Sequence, residues 1–249
     1  MKAMILAAGK GTRLQPLTNS LPKALVPVAQ NTALEWAIRR LEKMGITAIA
    51  INTHYLAHQV EEFVKKRSSN RSKLTLFPER EILGTGGGLL NTRNFWNDQS
   101  FILHNVDVFC SADLSAIHHR HEQQQDIATL LTQNRSTQTK LLIDEQDYIC
   151  GIHYYKTQEY RLIRKPHGAL KEQGFNGIHV IKPDLFPMIQ ESGEFSIIDC
   201  YLRLSAENIP IRSFDIGNAY WKDIGTIEKL EALEADWKKD SSLRACYGA

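Results

Sequence analysis

Apolar positions follow two rhythms along this chain. Short unbroken runs end at glycines or polar groups: AMILAA (3–8), ITAIAIN (46–52) and SFILHNVDV (100–108). Runs of that length read as buried strands. Between them, ALEWAIRRLEKM (33–44) sets Leu34, Ala37, Ile38 and Leu41 at helical spacing, with Gly45 as a stop. LAHQVEEFVKK (56–66) repeats the helical rhythm, and KLTLF (73–77) alternates until it meets Pro78. A glycine-rich helix start follows at 79–90. Residues 1–110 therefore read as strands alternating with helices, the pattern of a parallel sheet covered on both faces. The fold expected is α/β: a Rossmann-like three-layer sandwich with a mostly parallel central sheet. Sites on such sheets lie beyond the carboxyl ends of the strands. Gly9–Arg13, Glu79–Gly88 and Asn105–Asp107 fall there.

The rhythm changes after residue 125. IATLLTQ, TKLLIDE, YICGIHYY and GIHVIKP read as strands joined by turns, predicting a smaller mixed or antiparallel extension. PDLFPMIQE and SIIDCYLRLSAE read as helical, and IPIRSFDI and AYWKDIG as short strands. TIEKLEALEADWKKD (226–240) predicts an amphipathic helix with Thr226 as N-cap. No repeat or linker divides the chain, so residues 1–240 form one expected domain, and the tail 241–249 is expected to fray.

Bulk properties narrow the partners. The 249 residues are 43% apolar and 23% charged, with a formal net charge of +2, and give no footprint for nucleic acid. Four dispersed cysteines make no CxxC pair and read as reduced thiols of a cytoplasmic protein. The N-terminus runs straight into a polar glycine turn, which does not read as a signal peptide, and no apolar stretch reaches membrane-spanning length.

The chemistry concentrates in LAAGKGTRLQPLTNSLPKALVPV (6–28). A strand that ends in glycines suits a plain strand–helix turn or a phosphate cradle of backbone N–H groups. Leu14 stands where a dinucleotide motif needs its third glycine, and Walker A spacing is missing. Arg13 adds a fork-shaped cation and Lys23 a point charge, and Pro16, Pro22 and Pro27 stiffen the segment. The stretch reads as a preorganised clamp for a triphosphate.

This segment resembles the signature G-x-G-T-R-x-x-P-L-T-x-x-x-P-K-x-L-x-P-V of sugar-1-phosphate nucleotidyltransferases. NVDV near 107, FNGIHVI near 177 and WKDIGT near 223 extend the resemblance over nearly the whole chain, closest to short members without a β-helix. Among these are N-acetylmuramate-1-phosphate uridylyltransferases and mannose- or heptose-1-phosphate guanylyltransferases. The resemblance implies a glycosyltransferase-A-like fold with a nucleotide half (1–110) and a sugar half (111–240). It implies that Arg13, Lys23 and Asp107 are catalytic and that Mg²⁺ sits on Asp107 and Asp223. Each aspartate also has a plain structural reading, in a turn or beside a helix start. The family form before the metal aspartate is glycine, where this chain has Val106.

Ala7, Ala8, Gly9, Gly11, Thr12, Glu79, Thr85 and Gly86 complete the implied nucleotide site. The glycines of 84–88 serve either tight packing or a flat surface for the base. Asn105, Asn176, Gly177 and Asp199 are the implied sugar contacts, with Lys165 a weaker candidate in a basic segment (156–171) that reads as an exposed turn or a flap. His118, His119 and His121 lack zinc-site spacing and read as a solvated helix face. The implied partners are an NTP and a sugar 1-phosphate, acted on by a monomer or homodimer without nucleic acid or membrane. UTP with N-acetylmuramate 1-phosphate, or with a hexose or heptose 1-phosphate, is the expected pair. Two rivals stay open: a cytidylyltransferase of a phosphoalcohol such as phosphocholine, caged by Tyr154, Tyr155 and Tyr160, and a non-catalytic nucleotide-sugar-binding relative.

Overall fold

In chain order the elements are β1 (Lys2–Leu6), β2 (Pro27–Val28), β3 (Asn31–Thr32), α1 (Ala33–Lys43), β4 (Ala48–Thr53), α2 (Ala57–Lys66), β5 (Lys73–Pro78), α3 (Gly84–Asn91), β6 (Phe101–Asn105), β7 (Val108–Cys110) and α4 (Leu114–Gln124). Then come β8 (Ala128–Gln133), β9 (Thr139–Ile143), β10 (Ile149–Tyr154), β11 (Glu159–Leu162), β12 (Lys171–Ile181), α5 (Ile197–Ala206), β13 (Ile211–Asp215), β14 (Trp221–Asp223), α6 (Ile227–Lys239) and α7 (Ser241–Cys246). These come from a computed structural model that describes residues 1–68 and 71–249.

The centre of the main sheet is the parallel run β6–β1–β4–β5. Parallel strands end at one edge, so Leu6, Thr53, Pro78 and Asn105 bring their following loops to the same side. The antiparallel extension begins at β12, which pairs with β6 through Ile178–Ile181 and with β9 through Lys171–Gln173. Its register against β8 shifts between Phe175 and His179, and the bend brings Gly177 beside Asn105 at the end of β6. The α/β architecture with a central parallel sheet and a mixed extension is as the sequence predicts.

Two buried clusters cover the two faces of the sheet. One packs Leu34, Ile38 and Leu41 of α1 and Ile117 of α4 against Ile5, Ile51 and Ile102. The other packs Leu89 of α3 and Cys200 and Leu204 of α5 against Met4, Leu103 and Leu130. A third lies off the sheet and joins Leu14, Trp36, Phe109, Ile224, Trp237 and Tyr247. Thr226 caps α6 as expected, its hydroxyl accepting from the Lys229 N–H.

Four expectations change. The run 100–108 is two elements: β6 stops at Asn105, and β7 leaves the sheet to pair with β14. The stretch 183–188 is a six-residue 3₁₀ segment, because Pro187 has no N–H for a continuing α-helix. The tail does not fray. Asp240 caps α7 and Tyr247 is 1% exposed among aromatic rings. His121 is buried against Thr129 Oγ1 rather than solvated. Among the described residues no helix is long and apolar enough to cross a membrane.

Candidate active site

The loop after β1 folds into 3₁₀ turns at Thr12–Leu14, Leu17–Asn19 and Lys23–Leu25. Gly11 opens the first turn and its carbonyl accepts from Thr18 Oγ1 at 2.8 Å. The third turn brings Lys23 back to the strand ends. Its Nζ stands 2.5 Å from Asp107 Oδ2, with both side chains mostly buried. Among the described residues Asp107 Oδ1 has no protein hydrogen bond.

Asp223 arrives by a different route. In the β7–β14 ribbon it lies opposite Val108, and the Ile224 N–H donates to the Asp107 carbonyl at 3.0 Å. Its Oδ1 accepts from the Gly225 N–H at 2.8 Å and its Oδ2 pairs with Lys229 Nζ at 2.5 Å. Burial works to raise this carboxyl, but the Lys229 and Gly225 hydrogen bonds and the charges of Lys229 and Lys23 hold it below the usual range. Arg13 is exposed and stands beside this arm: a Cβ on Gly225 would lie 3.2 Å from its Nη2.

Two hollows share Asn105 and Asp107 as a common wall. The first, of about 250 Å³, is lined by Ala8, Gly9, Lys23, Asn52, Glu79 and Thr85, among others. Its floor is a buried polar pair. Asn52 Nδ2 donates to Glu79 Oε1 at 2.7 Å, Asn52 Oδ1 accepts from the Ala7 N–H at 2.7 Å, and Glu79 Oε2 accepts from the Leu83 N–H at 3.1 Å. The second hollow, of about 240 Å³, is lined by Arg13, Arg135, Phe175, Asn176, Gly177 and Asp223, among others. Gly177 has φ +75°, and a Cβ there would lie 2.7 Å from Asn105 Nδ2, so glycine lets β12 approach β6 closely.

The structure therefore brings together Ala8, Gly9, Lys23, Glu79, Thr85, Asn105 and Asp107 in one hollow, and Arg13, Asn105, Asn176, Gly177, Asp107 and Asp223 in the other. Ala7, Gly11, Thr12, Gly86 and Asp199 line neither. The Ala7 N–H is spent on Asn52. Gly86 faces the Phe195 ring, which a Cβ would meet at 2.1 Å, so tight packing explains this glycine. Asp199 is exposed on the first turn of α5. Lys165 is exposed beside Arg164, which stacks on Tyr148 at 3.9 Å and turns to the Ile209 carbonyl.

Sequence reasoning missed Asn52, Arg135, Trp221 and Lys229. Asn52 stands at a parallel strand end, where its position was the available signal. Lys229 lies six residues beyond Asp223 at the start of α6, and Arg135 sits in the loop between β8 and β9 with no motif around it.

The donor set fits a hard divalent cation. Two carboxylates border one cleft, and such a cation takes one or two carboxylates together with substrate phosphate oxygens. Among the described residues no group of three or more His, Cys, Asp or Glu is placed to hold a metal.

A sequence model of the nucleotidyl transferase family matches residues 2–240. The chain is 26% identical over 245 residues to a UTP–glucose-1-phosphate uridylyltransferase of Synechocystis, covering 90% of this chain and 62% of that protein. It is 28% identical over 249 residues to an N-acetylmuramate α-1-phosphate uridylyltransferase of Neisseria meningitidis, covering 96% of this chain and all of that protein. The crystal structure of HddC from Yersinia pseudotuberculosis shares the fold, with a TM-score of 0.74 at 22% identity, covering 95% of this chain and 99% of that one. With its signature loop, carboxylates and glycine bend in the places described, the chain belongs to the nucleotidyl transferase family, among the sugar-1-phosphate nucleotidyltransferases.

Proposed function

We propose that the chain transfers a nucleotidyl group from an NTP to a sugar 1-phosphate, releasing pyrophosphate. The convergence of Arg13, Lys23, Asp107 and Asp223 on one cleft carries this reading. The NTP base enters the first hollow, along the backbone of Ala8 and Gly9 and over the Asn52–Glu79 pair. Lys23 neutralises charge building on the α-phosphate, and Arg13 takes the leaving phosphates from across the shared Asn105–Asp107 wall. The sugar 1-phosphate lies in the second hollow, its phosphate at the wall of Asn105 and Asp107 that the two hollows share and its sugar toward Asn176 and the backbone of Gly177. An oxygen of its phosphate attacks the α-phosphorus, and the bond to the β-phosphate oxygen breaks. The nucleophile is already anionic, so alignment and charge neutralisation suffice and no general base is needed. Mg²⁺, held by Asp107 and Asp223, would neutralise phosphate charge at this point.

Uridylyl transfer to N-acetylmuramate 1-phosphate is the specific reaction we favour. The Neisseria relative of that name has the same span as this chain, and two relatives are uridylyltransferases. The phosphoalcohol reading loses support because its proposed aromatic cage is already filled: Lys140 lies over Tyr155, Arg161 over Tyr154, and His153 packs on Tyr160. A cytoplasmic location fits the free thiols of all four cysteines.

The test is a matrix of NTPs against sugar 1-phosphates with Mg²⁺, read as pyrophosphate release. UTP with N-acetylmuramate 1-phosphate is expected to give the highest kcat/KM. Release that does not depend on any sugar phosphate contradicts the reading.

A further inference from the structure

Arg135 follows β8 and enters the second hollow from the side of the extension. Its guanidinium lies 3.8 Å over the Trp221 ring. Its Nε donates to Asn176 Oδ1 at 3.1 Å, and its Nη2 donates to the Phe175 carbonyl at 2.6 Å. Among the described residues it forms no ion pair; the carboxylate whose charge reaches it, Asp223, is already paired with Lys229. A largely buried guanidinium ordinarily has a carboxylate or phosphate partner. Two other cations of the cleft are matched: Lys23 with Asp107, and Lys229 with Asp223. Arg13, also free of an ion pair, is committed to the NTP in the proposed reaction.

A second feature points to the same spot. Asn176 is 0% exposed, and its Nδ2 is buried without a partner. The Arg135 bond to Oδ1 fixes which way the amide faces, so the nitrogen stands as an unused donor beside the guanidinium. An arginine fork held on a tryptophan face, next to an orphan amide, is built for a planar anion.

We infer that Arg135 is a specificity-determining residue that reads a carboxylate on the acceptor sugar, so that the preferred substrate class is an acidic sugar 1-phosphate. The inference rests on the proposed transfer reaction. Placement within the second hollow separates the two anions: the reacting phosphate belongs at the Asn105–Asp107 wall that both hollows share, whereas Arg135 lines the second hollow alone. Thr137 and Phe175, which also line this hollow, belong to the extension that would carry the sugar ring.

The test compares N-acetylmuramate 1-phosphate with N-acetylglucosamine 1-phosphate, which differ in the carboxylate-bearing ether. Both are assayed with UTP and Mg²⁺ in the full-length wild-type protein and in Arg135→Gln and Arg135→Lys. The wild type is expected to favour the acidic sugar by roughly 10- to 100-fold in kcat/KM, the range of one charge-assisted contact. Arg135→Gln should bring that ratio close to one, and Arg135→Lys should restore part of it. A wild-type ratio near one, or a ratio that Arg135→Gln leaves intact, overturns the inference while turnover itself leaves the transfer reaction standing. An equal loss with both sugars assigns Arg135 to the phosphate and also overturns it. Absence of turnover with every NTP and sugar phosphate removes the transfer reaction and the inference together.

Discussion

Tyr247 Oη accepts a hydrogen bond from the backbone N–H of Cys110 at 2.8 Å. The end of the chain thereby holds β7, the strand that begins one residue after Asp107 and pairs with the arm bearing Asp223. The Tyr247 ring packs in the cluster that contains Leu14, next to Arg13, and Ile224, next to Asp223. The site's two distant arms thus share one off-sheet core.

Removing that hold should destabilise the protein in two measurable steps. Tyr247→Phe leaves the buried Cys110 N–H without its partner, at a cost of about 1–3 kcal/mol. Tyr247→Ala also opens a cavity among Trp36, Phe109 and Trp237, costing about 3–5 kcal/mol. Urea unfolding of both variants checks this. A wild-type midpoint for Tyr247→Ala would show that the tail frays after all.

Gly88 tests the floor of the first hollow. A Cβ there would lie 2.7 Å from Asn52 Nδ2 and 2.8 Å from Glu79 Oε1. Gly88→Ala must therefore push apart the Asn52–Glu79 pair, costing about 1–3 kcal/mol. The KM for the NTP should rise several-fold more than the KM for the sugar phosphate. An equal rise in both would mean that this pair does not shape the nucleotide hollow.

Asp107→Asn separates chemistry from folding. The side chain is mostly buried, but an amide keeps its shape and one bond to Lys23. Removing the charge should lower kcat by about 10²–10³-fold, the cost of losing one preorganised electrostatic group. Thermal unfolding should stay within a few degrees of wild type. Activity like that of the wild type would remove Asp107 from the reaction.

Buried histidines set the acid limit. Burial pushes His104 and His121 down to about 4, and His179 down to about 3, from an ordinary value of 6.5. Between about pH 6.5 and 4 the unfolded chain therefore takes up protons that the folded chain refuses, and stability falls as pH falls. Each such histidine contributes a slope of about 1.4 kcal/mol per pH unit in that window. Urea midpoints near pH 7 and near pH 5 should differ clearly, and His179→Gln should remove about a third of the slope. Equal midpoints at the two pH values would mean that these imidazoles titrate freely in the fold.

Much of this site can be read in the sequence, for identifiable reasons. Parallel strands must end together, so Gly9, Glu79 and Asn105 were placed at one edge by periodicity alone. The Arg13–Lys23 segment is local, and a local motif survives folding nearly unchanged. Arg135 and Trp221 met only through tertiary packing, because β8 and β14 are joined by no local pattern. The glycines of 84–88 were ambiguous since close packing and ligand approach ask for the same missing Cβ. The structure separates them: Gly84 lines the first hollow, and Gly86 faces Phe195. The order of the tail has no local signature, because nothing in the sequence signals that Leu243 and Tyr247 complete a core begun by Trp36.

Calorimetric titration of UTP with Mg²⁺ tests the central claim most directly, using the wild type and the double variant Asp107→Asn, Asp223→Asn. The wild type should bind with measurable heat that depends on Mg²⁺, and the double variant should lose that dependence. No heat with any nucleotide in the presence of Mg²⁺, or identical isotherms for the two proteins, would contradict the account.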